Sequence, residues 1–124
     1  MRILILDDDH RRHELFLRHF ADKNVDYLQI EPTADAAEHA LATQPKFDVL
    51  MLDFDLILNQ PSIHHSVHTT GLDVAKFVTT MNDQTIPDKI IVHSMNPIGA
   101  DSIVRYLADH GIINVFVEPF NLKE

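Results

Sequence analysis

The chain has 124 residues, no cysteine, 45% apolar and 23% charged residues, and a formal net charge of -9, which fits one soluble domain over residues 1–124 with enough chain to bury a core. Zero cysteines exclude a disulfide framework and any thiolate nucleophile or thiolate metal site, and the acidic balance argues against wrapping an extended nucleic-acid backbone. No apolar run approaches the roughly 20 residues of a membrane span, and Asp7-Asp8-Asp9 cut off the apolar start before it resembles a secretory signal, so no membrane association and a cytoplasmic setting are expected.

The first element is a strand over about Arg2–Leu6, running into Asp7-Asp8-Asp9-His10. From about Arg11 to Ala21, Leu15, Phe16, His19 and Phe20 recur at helical spacing. Val25–Ile30 reads as a second strand, and Pro32-Thr33 opens a helix with Ala36, Ala37, Ala40 and Leu41 on one side. Val49–Leu52 is apolar throughout, as a strand buried on both faces of a parallel sheet requires. It ends in Asp53-Phe54-Asp55. The connection from Phe54 to about Thr70 is long, has no evident element and carries His64, His65 and His68; such loops in compact domains are usually functional or disordered. Gly71–Met81 predicts a helix burying Leu72, Ala75, Val78 and Phe77. Ile90–Val92 is the fourth strand, ending in His93-Ser94-Met95-Asn96-Pro97. Asn96 caps the next helix with Pro97 at its first position, and Gly111 ends it as a left-handed C-cap. Ile113–Val117 is the fifth strand. With the sequence running to Glu124, no fifth helix is expected after this strand, and a second copy of the chain is expected to cover it.

Strands alternating with helices predict an α/β fold: a three-layer, flavodoxin-like sandwich around a five-stranded parallel sheet of order 2-1-3-4-5. That order sets strands one, three and four side by side, and ligands in such sheets bind outside the carboxyl ends of the strands. The residues closing those strands therefore form the candidate site. Asp7, Asp8 and Asp53 offer hard oxygen ligands suited to Mg²⁺ or Mn²⁺. Asp9, where the first helix begins, reads as a cap. Asp55 is either a second ligand, a general base for water, or a solvated loop residue. Ser94 and Asn96, with the free N–H groups opening the fourth helix, suit a phosphate. His93 is either a general acid or a satisfied core histidine, because neighbouring strand residues face opposite sides. His68 is the loop histidine placed to reach the site, while His64 and His65 can simply be solvated. His10 and His13, at i and i+3, read as a helix start before a zinc pair.

At these residues the chain resembles the receiver domains of two-component signalling over nearly its whole length. Asp7-Asp8 matches their acidic metal-binding pair, Asp53 their phosphoacceptor and Ser94 the hydroxyl residue ending the fourth strand. The chain departs from that pattern in two ways: Glu118-Pro119-Phe120 stands where receivers carry a lysine before Pro-Phe, and no last helix is expected. A closer resemblance is to the cyclic-phosphate-processing receiver-like family, through Asp53-Phe54-Asp55-Leu56, Thr70-Gly71-Leu72-Asp73 and His93-Ser94-Met95-Asn96-Pro97. That resemblance implies a metal-dependent hydrolase of a cyclic phosphate, on a nucleotide or an RNA end. On this reading Asp7, Asp8 and Asp53 hold Mg²⁺ or Mn²⁺, Asp55 or His68 takes a proton from water, Ser94 and Asn96 hold the phosphate, and His93 protonates the leaving oxygen. The rival readings are a signalling module phosphorylated at Asp53 and a non-catalytic receiver-like adaptor.

Overall fold

Residues 1–54, 70–94 and 96–118 are described by the computed structural model. In chain order they form β1 (Arg2–Leu6), α1 (His10–Phe20), β2 (Tyr27–Glu31), α2 (Ala34–Thr43), β3 (Val49–Leu52), α3 (Gly71–Val78), β4 (Lys89–Val92), α4 (Pro97–Asp109) and β5 (Val115–Val117). The strands pair in parallel in the order β2-β1-β3-β4-β5, as the alternation of strands and helices predicts. No fifth helix occurs among the described residues.

Side-chain alternation along the strands divides the core between the two sheet faces. Leu4, Leu6, Leu50, Leu52, Ile90 and Val92 pack with the buried sides of α2, α3 and α4. Ile3, Ile5 and Met51 belong to the other cluster, with Phe16 of α1 and the partly buried Leu28, Ile30, Val49 and Ile91. Small residues let α2 approach closely: Ala34, Ala37 and Ala40 are buried with Leu41, and Thr33 caps the helix by accepting from the Ala36 amide at 3.1 Å. On α1 the packing is narrower than its spacing predicts. Phe16 is its buried residue, Leu15 and Phe20 are half-buried, and His19 lies exposed, with its ring edge-on to Phe20.

Element boundaries shift for local reasons. β2 begins at Tyr27, opposite Arg2, because the Asp26 carboxylate pairs with the N-terminal amine and its amide with the Met1 carbonyl. α3 stops at Val78 rather than Met81, because the Thr79 and Thr80 hydroxyls donate back to the Lys76 and Phe77 carbonyls, each at 2.6 Å, and such bonds compete with continued helix. Val74, also buried, joins Ala75 and Val78 on its inner side, while Leu72 and Phe77 are half-buried. α4 has the Asn96 cap and Pro97 start that its sequence predicts, and Gly111 behind it has φ 82°, the left-handed C-cap conformation.

The start of α3 fixes the end of β3. Thr70 donates from its amide and its hydroxyl to the Asp73 carboxylate, at 3.2 and 3.3 Å, and the Gly71 amide donates to the Phe54 carbonyl at 3.2 Å. This gives the Thr70-Gly71-Leu72-Asp73 segment a mechanical role. A Cβ on Gly71 would stand 2.4 Å from the Asp53 carbonyl oxygen, and backbone cannot yield as a side-chain tip can. Gly71→Ala is expected to cost about 1–3 kcal/mol, measurable by urea denaturation, and to displace Asp53.

Candidate functional site

The parallel ladders continue one residue beyond the strands. The Asp7 amide donates to the Glu31 carbonyl at 3.0 Å, the Asp53 amide to Leu6 at 3.1 Å, and the His93 amide to Leu52 at 3.0 Å. Leu6, Leu52 and Val92 are aligned across the sheet, so the next residues, Asp7, Asp53 and His93, stand level on three neighbouring strands. Period-two alternation puts them on the same face as Ile5, Met51 and Ile91, the face covered by α1. All three are buried, and each offers a ligand atom within 4.8 Å of the others.

Helix α1 enters this site from its first turn. Asp9 caps it, accepting from the Arg11 amide at 3.0 Å. The next residue, Arg12, lies one turn before Phe16 and so on the inward face. Its Nη2 donates to Asp7 Oδ1 at 3.2 Å and to Asp53 Oδ2 at 3.0 Å, and its Nε lies 3.0 Å from Asp7 Oδ2. His13 Nε2 donates to the Asp7 carbonyl at 2.6 Å. Phe16 meets the His93 ring edge-on, with centroids 5.6 Å apart. Two consecutive arginines thus part company: the Arg11 side chain is 89% exposed and pairs with Asp9, whereas that of Arg12 is 25% exposed and bridges the carboxylates.

Asp7 is the hub. His93 Nε2 lies 3.1 Å from Asp7 Oδ2, with both side chains fully buried. A carboxylate can only accept, so the imidazole carries its proton on Nε2. Burial pushes the Asp7 carboxyl up. The hydrogen bonds from His93 and the Asp9 amide, together with the charges of His93 and Arg12, outweigh burial and hold it below its ordinary value. Asp9 is also lowered, chiefly by its hydrogen bond with Arg11.

Of the residues expected from sequence, the structure brings together Asp7, Asp53 and His93. Asp8 is buried beside Asp7 but stands outside that triplet of close ligand atoms. Ser94 and Asn96 lie at the opening of α4: Ser94 Oγ accepts from the Asn96 amide at 3.0 Å, and Asn96 Oδ1 accepts from the Gly99 amide at 3.0 Å. His93, weighed between proton donor and core residue, is enclosed and engaged with Asp7. Asp55 and His68, with His64 and His65, lie outside the described residues. His10 and His13 have ring centroids 5.1 Å apart, and His13 is spent on the Asp7 carbonyl. Sequence reasoning missed Arg12. Its signal was the phase of α1: a residue four before the inward Phe16 shares its face.

Two carboxylates this close, one of them held by an imidazole N–H, form a donor set that can hold one divalent cation. Hard carboxylate oxygens favour Mg²⁺ or Mn²⁺, and an imidazole donating to a ligating carboxylate is a common way of fixing its orientation. Residues in the described elements therefore fit the ion that the acidic strand ends predict.

The sequence matches the family described as the cyclic-phosphate processing Receiver domain over residues 2–109. The chain belongs to this family. Among curated proteins nothing matches significantly. Solved structures share the fold. A response regulator receiver protein from Pseudomonas putida superposes with a TM-score of 0.68 at 18% identity, over 98% of this chain and 88% of that one. A Burkholderia pseudomallei response regulator, described with a phosphorylated aspartic acid, calcium ion and citrate, gives 0.64 at 17%, over 98% and 61%. The Mn²⁺-bound form of the response regulator Rcp1 gives 0.61 at 20%, over 94% and 78%. The chain is thus a receiver domain in fold, and no helix among its described residues is long and apolar enough to cross a membrane.

Proposed function

We propose that this receiver domain binds a divalent cation at Asp7 and Asp53 and accepts a phosphoryl group on the Asp53 carboxylate. The observation that carries the reading is the level pair of buried carboxylates at the C-terminal edge of β1 and β3, with His93 fixing one of them. The similar folds described with a phosphorylated aspartate and with Mn²⁺ support it. A bound ion supplies charge neutralisation at the phosphoryl oxygens. The rest falls to the chain. A carboxylate oxygen of Asp53 attacks the phosphorus of a small phosphodonor or phosphohistidine, forming an acyl phosphate as the bond to the donor's leaving group breaks. Asp7, held by His93, keeps its orientation through the step. The Ser94 hydroxyl, whose oxygen accepts from Asn96, has its own hydrogen to donate to a phosphoryl oxygen.

One observation favours a second reading, hydrolysis of a cyclic phosphate: the family matched over residues 2–109 is described by that processing, and Glu118 stands where receivers carry lysine. In that case the same carboxylates would hold the ion, with a small cyclic phosphate or RNA end as substrate. A paired experiment separates the two. With Mg²⁺ and acetyl phosphate, intact mass spectrometry is expected to show one added phosphoryl group on the wild type and none on Asp53→Asn. With Mg²⁺ and nucleoside 2′,3′-cyclic phosphates, phosphorus NMR is expected to show no new monoester. The reverse pattern would establish the hydrolase. Neither signal would leave a non-catalytic adaptor.

A further inference from the structure

We propose that Arg12 is the resident cation of this site: its guanidinium holds Asp7 and Asp53 together in the metal-free protein and gives way when a divalent ion binds. The inference rests on the metal-binding reading above and adds a regulatory residue to it.

Geometry sets up the competition. The Arg12 contacts fall on Asp7 Oδ1, Asp7 Oδ2 and Asp53 Oδ2, at 3.2, 3.0 and 3.0 Å. An ion shared by these two carboxylates would compete with the guanidinium for the same negative charge, on oxygens that Arg12 Nη2 already bridges. Two cations at one carboxylate pair also repel each other strongly in a buried setting. The ion cannot simply add to the present arrangement, so the guanidinium has to withdraw.

Arg12 can do so without unfolding anything. It sits in the first turn of α1, a quarter exposed, on a long flexible stem. Asp9 Oδ2, already paired with Arg11, lies 4.0 Å from its Nε in the same turn and offers a second carboxylate that it can share. His13, Phe16 and the Asp9 cap hold the helix in place while the side chain moves. The withdrawn guanidinium remains next to the site, and its planar fork suits phosphoryl oxygens.

Exchange predicts opposite signs for two properties. Without Arg12 the metal-free protein loses the counter-ion of two buried carboxylates and becomes less stable. Metal binding becomes tighter, because the competent state no longer has to be opened. An arrangement open about one tenth of the time weakens apparent affinity about tenfold. A merely structural arginine would weaken both properties when removed.

The test is Mn²⁺ titration followed by the electron paramagnetic resonance of free Mn²⁺, on wild type, Arg12→Gln and Arg12→Lys, with thermal unfolding of each in chelator. The expected result is about tenfold tighter Mn²⁺ binding by Arg12→Gln, an intermediate value for Arg12→Lys, and lower chelated stability for both. Wild-type protein gives an independent readout: the Arg12 Nη–H signals in nitrogen-15 NMR, held by the Nη2 bonds to Asp7 and Asp53, should lose their exchange protection as Mg²⁺ saturates the site. This measurement decides the matter if Arg12→Gln does not fold. Mn²⁺ binding of equal or lower affinity in Arg12→Gln, or protected Nη–H groups at saturating Mg²⁺, would overturn the exchange while leaving the metal site standing. Absence of Mn²⁺ binding in every variant would remove the metal site and the exchange together.

Discussion

Asp53→Asn is expected to abolish phosphoryl labelling while leaving the fold close to wild-type stability. The carboxylate is the nucleophile in the proposed step, and an amide oxygen is far poorer at phosphorus. Labelling should fall by roughly three orders of magnitude or more, read by intact mass after incubation with acetyl phosphate and Mg²⁺. Removing one carboxylate should also weaken Mn²⁺ binding by about 10–100-fold or more. Stability should respond little, because two effects oppose each other. The variant loses the 3.0 Å contact between Arg12 and Asp53, but it also relieves repulsion between two buried carboxylates whose ligand atoms lie within 4.8 Å. Arg12 keeps Asp7 as a partner throughout. A variant that unfolds early in denaturant would point instead to Asp53 as a structural residue, and labelling that persists would place the acceptor elsewhere.

The strands that make this site were legible because a parallel sheet covered on both faces leaves near-continuous apolar runs. Val49–Leu52 coincides with β3, and the aspartate behind it marks the sheet's C-terminal edge. Which of His93 and Ser94 joins the carboxylates was not legible. It depends on register, and register is a property of paired strands. Once Leu52 and Val92 are aligned, His93 falls beside Asp53 on the α1 face, and Ser94 is left to the start of α4. Arg12 was harder to find for a related reason. Arg11 and Arg12 are adjacent and chemically alike, and a shift of one residue in helix phase would exchange their roles. Asp9 as cap and Phe16 as the inward residue set that phase. The exposure of His19 shows the limit of the periodicity argument: α1 covers only a narrow cluster around Ile3, Ile5 and Met51, so the width of its apolar stripe exceeds the surface available to bury it.

Asp7→Ala should be the most destabilising substitution in the site. Asp7 accepts from His93 at 3.1 Å, from the Asp9 amide at 2.8 Å, and from Arg12 at 3.2 Å. Its removal leaves a buried imidazole N–H, the amide preceding α1 and half of a guanidinium without the acceptor they share. Breaking a buried, hydrogen-bonded charge network from one side typically costs about 3–5 kcal/mol. Urea denaturation at neutral pH in chelator should show this loss, with a smaller one for Asp7→Asn, whose amide oxygen still accepts one donor. The penalty should depend on pH with a defined sign. The Asp7 carboxyl is held below its ordinary value of 3.8 in the folded protein, so its ionised form favours folding at any pH above that value. The contribution disappears as pH falls through the lower, folded-state value, where the wild type must itself protonate Asp7. The gap between wild type and Asp7→Ala should therefore be constant from neutral pH down to mild acid and then narrow. A gap that does not narrow in strong acid would mean that Asp7 contributes through packing and neutral hydrogen bonds, and that neither His93 nor Arg12 draws stability from its charge.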